Sequence, residues 1–79
     1  MWWFYRKKID TDEIVQYEYG AATKDVSGCV EYNKKTDKYR IVAVANGDSK
    51  QTAERFCFRH LYRLIFKEGS PQERQIACG

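Results

Sequence analysis

The feature that most constrains this chain is a change of apolar period at Asn46-Gly47-Asp48. Before that point apolar side chains recur at every second position, as in strands with one buried face. After it they recur at three and four, as in an amphipathic helix. A chain of 79 residues with this layout buries both apolar surfaces most simply by laying the helix across the sheet. The expected class is therefore α+β: an antiparallel four-stranded meander with one long C-terminal helix packed on one face. Residues 1–79 are expected to form a single domain, since a second core would have too few side chains to stand alone.

Four segments carry the strand pattern: Trp2 to Lys8, Glu13 to Tyr19, Cys29 to Asn33 and Lys38 to Asn46. Asp10-Thr11-Asp12 supplies a turn between the first two, Gly20 to Gly28 a longer connection, and Lys34-Lys35-Thr36-Asp37 a hairpin loop. Pairing Tyr32 with Tyr39 sets Val30 against Ile41 and Gly28 against Ala43 on one face, with Glu31 opposite Arg40 on the other. A slip of one residue would exchange the faces, so matched apolar pairs and one ion pair select this register. Gln75 to Cys78 could add a short fifth strand or an ordered tail, and four residues leave both open.

For the helix, Asp48 with Gln51 reads as a capping box, and Gly69 followed by Pro71 reads as a stop. The spacing predicts a helix from Ser49 to Glu68, about 30 Å long. Ala53, Cys57, Leu61 and Leu64 fall in the middle of one face, widened by Phe56, Phe58, His60 and Ile65. Opposite them Arg55, Arg59 and Arg63 recur every fourth residue, with Tyr62 and Phe66 beside them. Asp48 to Lys67 holds five Lys or Arg and two acids, a balance of +3 that equals the whole-chain excess of 14 over 11. This basic, aromatic-edged face is one candidate docking surface.

A second follows from geometry, because one helix covers only one face of a sheet. The other face carries Cys29, Val42 and Val44, with either Trp2 and Phe4 or Trp3 and Tyr5 from the first strand. Apolar area in that position marks an interface unless something within the chain covers it.

Several function classes lose support. Apolar runs such as Ile41 to Ala45 fall far short of the ~20 residues needed to span a bilayer. Met1 to Tyr5 is followed, not preceded, by Arg6, Lys7 and Lys8, the wrong order for a signal peptide. The odd set Cys29, Cys57 and Cys78, with no C-x-x-C pair, suits a reducing compartment, so a cytoplasmic location and no membrane partner are expected. The glycines stand singly, which leaves no phosphate-cradling loop. Cys57 and His60 lie three apart and, with Cys29 and Cys78, could supply zinc ligands, or Cys57 could serve as a nucleophile. Both sit on the core-facing stripe, however, so neither catalytic residues nor a metal or cofactor is expected.

The composite expectation is a small non-enzymatic interaction or accessory protein. Its docking residues would be Arg55, Arg59, Arg63, Tyr62 and Phe66 on the helix, or Val42 and Val44 on the sheet, and its partner another protein or a second copy of itself. The alternatives are nucleic-acid binding by the Arg55/Arg59/Arg63 ridge and a small Cys/His metal protein or enzyme.

Overall fold

The computed structural model describes residues 2–21 and 26–77, the side chain of Trp2 excepted. Four strands, β1 (Trp2–Asp10), β2 (Ile14–Gly20), β3 (Gly28–Asn33) and β4 (Lys38–Ala43), precede the helix α1 (Lys50–Tyr62). The helix runs on into a π-helical segment, Arg63–Lys67, before a last strand, β5 (Glu73–Ala77). The α+β class is as expected, but the sheet has five strands, in the order β4-β3-β2-β1-β5, with every neighbouring pair antiparallel. The fifth forms because β1 would otherwise be an open edge. Residues 73–77 pair along it with Ile76 opposite Trp3, so the one buried residue of a mostly polar strand reaches the core. Since β4 and β5 lie at opposite edges, α1 carries the chain across one face of the sheet.

That face is the core. Trp3, Tyr5, Val15, Tyr17, Tyr19, Val30 and Tyr32 point from the sheet to Ala53, Cys57, Leu61 and Leu64 of the helix, with Tyr39 and Ile41 packed beside them. The question of which side of β1 faces inward is thus decided for Trp3 and Tyr5, placing Phe4 on the opposite side. The hairpin register is as read, with Tyr32 opposite Tyr39, Val30 opposite Ile41 and Glu31 opposite Arg40. Beyond it a bulge in β4 brings Ala43 opposite Cys29 rather than Gly28, leaving Val42 as the extra residue. Gly28 instead lies opposite Tyr19, and only a glycine fits there: a Cβ would stand 2.3 Å from Tyr19 Cε1.

The helix start also differs from the expectation. Ser49, not Asp48, is the N-cap, its hydroxyl accepting from the Thr52 N–H at 3.2 Å. Asp48 is engaged elsewhere, accepting from the Tyr19 hydroxyl at 2.9 Å, while that same phenol oxygen accepts from the Ala45 N–H. The core tyrosine therefore anchors the strand-to-helix connection. At the other end Gly69 takes a positive φ of 73°, and the Ser70 N–H returns to the Leu64 carbonyl. The Glu68 N–H reaching back to Arg63 makes the wider turn that ends the helix. Among the described residues no helix is long and apolar enough to cross a membrane.

Candidate interaction surface

The two expected surfaces differ in character once folded. The sheet face away from α1 is crossed by a polar ladder. Arg6 bonds to Glu18 directly across from it on β2, and Glu31 receives Gln16 Nε2 at 2.8 Å and Arg40 Nε at 2.8 Å. The Arg40 guanidinium, with Gln16, holds the Glu31 carboxyl below the usual carboxylate range in spite of its burial. Cys29 is buried and Phe4 half-buried on this face. Val42 and Val44 are exposed, but Val42 is the bulge residue and Val44 lies past the end of β4, so they do not extend a continuous apolar sheet.

The outer face of the helix is different. Tyr62 and Phe66 are 47% and 51% exposed, large values for aromatic rings, and their centroids are 5.1 Å apart. Phe66 meets Tyr32 edge-on at 5.5 Å, Tyr32 packs on Tyr39 at 4.8 Å, and Tyr39 on Phe58 at 5.6 Å. These five rings fasten the end of the helix to the β3-β4 hairpin, with Tyr62 and Phe66 as their solvent-facing members. Tyr32 also donates its hydroxyl to Asp37, a bond that pushes the phenol up to about 12 and keeps it protonated. Val42 and Val44, at the other end of β4, are not part of this ring cluster.

Of the three arginines, Arg63 is internally committed: its Nε lies 2.6 Å from Glu68, which also holds Arg74 at 2.7 Å. Hydrogen bonds from Arg74, then Arg63, keep the Glu68 carboxyl below the ordinary range. Arg55 and Arg59 make no ion pair among the described residues, although the Arg55 guanidinium lies 5.4 Å from the Phe56 ring centre. The stripe is therefore two free cations followed by two exposed rings. Sequence reasoning named all four but missed Tyr32, Tyr39 and Phe58 beneath them, and the Glu68 contact that neutralises Arg63. The Tyr32-Tyr39 register carried the missing signal: a helix returning antiparallel to β4 must end over the hairpin that bears those rings.

Cys57 and His60 belong to the core. Cys57 is 1% exposed, while His60 Nδ1 shares a 2.6 Å hydrogen bond with the Tyr5 hydroxyl. Burial, then the nearby Arg63 and Arg59 charges, lower the His60 pKa to about 4. Cys29 and Cys57 are buried and neither is in a disulfide, and Cys78 lies outside the described residues. Among the described residues no group of three or more His, Cys, Asp or Glu is placed to hold a metal. A cavity of about 280 Å³ is lined by Trp3, Ala21, Gly47, Asp48, Ser49 and Thr52. It sets the Asp48 carboxylate against the positive end of the helix, so it favours neither sign of ligand.

No family model, curated protein or solved structure matches the chain.

Proposed function

We propose that this chain is a small non-enzymatic docking protein of the cytoplasm whose contact surface is the outer face of α1, centred on Arg55, Arg59, Tyr62 and Phe66. One observation carries the reading. Two half-exposed aromatic rings stand in line with two arginines that make no ion pair among the described residues, on a side of the helix that meets the core only where Phe66 touches Tyr32. Aromatic and arginine side chains are the residues that dominate protein interfaces, because each offers a large contact area with a directional polar or cationic group. Nucleic acid is less well served by this surface, since Glu68 already neutralises Arg63 and two free arginines neutralise few phosphates.

The test is comparative capture from cytoplasmic extract with the wild-type chain, Arg55→Glu/Arg59→Glu, Tyr62→Ser/Phe66→Ser and the control Val42→Ser. Proteins retained by wild type and control are expected to be lost with both helix variants. If all four chains retain the same set, the helix face is not the docking surface. Fluorescence anisotropy with oligonucleotides at low salt runs alongside, and affinity that falls steeply with salt would move the reading to nucleic acid.

A further inference from the structure

We infer that the outer face of α1 pairs with the same face of a second copy of this chain, the two helices running antiparallel. The inference rests on the docking reading above and names its partner.

Arg55, Arg59, Tyr62 and Phe66 are separated by four, three and four residues, the spacing of a coiled-coil seam. At 3.6 residues per turn Arg55, Arg59 and Tyr62 form one narrow stripe opposite Ala53, Cys57 and Leu64, which are buried against the sheet, and Phe66 continues it at the border with the hairpin, where its ring also meets Tyr32. Phe66 lies in the π-helical segment, yet its ring stays against Tyr62, so the stripe is unbroken.

The order of chemistry along the stripe selects the partner. Two cations are followed by two rings, and the arrangement is symmetric about the point between His60 and Leu61. Turning a second copy end for end places its Tyr62 beside Arg59 and its Phe66 beside Arg55, and the reverse contacts form at the same time. This is the self-complementarity that a two-fold interface requires, residue i meeting j while j meets i. Each guanidinium then gains an aromatic face, an attraction that needs no opposite charge. A parallel pairing would instead stack arginine on arginine. An acidic segment would match the arginines and leave the rings unused. The β4 edge is a poorer site for self-association, because Lys38, Arg40 and the bulge at Val42 are devices that discourage edge pairing.

The seam is about 16 Å long, which gives far less than the roughly 800 Å² per partner of a standard stable interface. The dimer is accordingly weak and reversible, and it responds to protein concentration. Because its contacts pair cations with rings rather than with anions, salt that would dissolve an acid-base or phosphate contact leaves it in place.

The test is sedimentation equilibrium of the purified full chain through the micromolar to millimolar range, at low and high salt. A concentration-dependent dimer that persists at high salt is expected. Arg55→Ala/Arg59→Ala and Tyr62→Ala/Phe66→Ala should each weaken it by about tenfold or more, since every contact joins one set to the other. Mixing the two variants should restore association of intermediate strength, because one intact set on each chain then faces the other. That recovery also shows that both variants are folded. A wild-type chain that stays monomeric throughout overturns the inference, as does a mixture that associates no better than its components. Loss of captured proteins in the helix variants alongside a monomeric wild type would reject self-pairing and leave the docking reading standing with a different partner.

Discussion

The two faces of α1 are built on one helical period and have opposite fates. On the inner face Ala53, Cys57, Leu61 and Leu64 are almost wholly excluded from solvent, sealed by a sheet surface in which tyrosine is the commonest residue. On the outer face Tyr62 and Phe66 keep about half of their surface in water, next to arginines that pair with no acid among the described residues. Burial of an aliphatic side chain is worth roughly 1.5–3 kcal/mol, so the inner face accounts for why the helix stays on the sheet. The outer rings withhold half of that gain, and an interface recovers what an isolated chain leaves unused. The comparison separates residues that hold the fold from residues of the proposed docking surface, and it can be broken at either face.

The largest effect belongs to the inner face. Leu61→Ala should lower unfolding free energy by about 3 kcal/mol, read as a shift in denaturant midpoint at unchanged slope. A loss as small as a surface substitution would mean that the helix does not seal the core. Next comes Gly28→Ala, whose Cβ would push the Tyr19 ring off its bond to Asp48 and its contact with Ala45. About 2 kcal/mol is expected from the overpacking, with Tyr19→Phe at the same connection losing less because the ring itself is kept.

Acid should act through the inner face as well. His60 titrates near 6.5 when unfolded and near 4 when folded, so between those values only the unfolded chain takes up the proton. Its contribution is complete above pH 6.5 and is lost as the pH falls toward 4, on the order of 2 kcal/mol allowing for partial screening. Protonation also leaves Nδ1 a donor only, which makes the Tyr5 hydroxyl the acceptor of their bond. Thermal melts from pH 7 to pH 4 should show the decline, and His60→Gln should flatten it. A wild-type profile level over that range would contradict the buried neutral imidazole. Below it, Glu31, Glu68 and Asp10 add losses of the same sign, because their folded values are depressed.

Ser49→Ala should cost about 1 kcal/mol by removing the cap on the Thr52 N–H. The smallest change in stability is expected for Arg55→Ala and Arg59→Ala, within about 0.5 kcal/mol, although dimerisation should weaken. A large stability loss there would dissolve the distinction between the two faces.

The fold was legible where periodicity was strong and local. Strand positions, the Tyr32-Tyr39 register, the helix limits to within a residue and its buried stripe all follow from side chains that alternate or recur at helical spacing. β5 was obscure because a polar five-residue segment has no apolar period, and its pairing depends on an edge of β1 that exists only after folding. The cap shifted from Asp48 to Ser49 because a tyrosine far away in sequence takes the Asp48 carboxylate. Of the candidate surface, all four central side chains could be named in advance. That Arg63 would be neutralised while Arg55 and Arg59 would not depended on Glu68 folding back past the π-helical turn.

By itself, then, the sequence determined which side of the helix and of the β3-β4 hairpin seeks water, because there the preference is written in residue order, whereas the inward side of β1 awaited the core. Only the tertiary structure decided what each exposed group meets. A helix and a sheet that bury one face each bring together side chains tens of residues apart, and those meetings left two rings about half exposed on the outer face of α1, beside two arginines with no ion pair among the described residues.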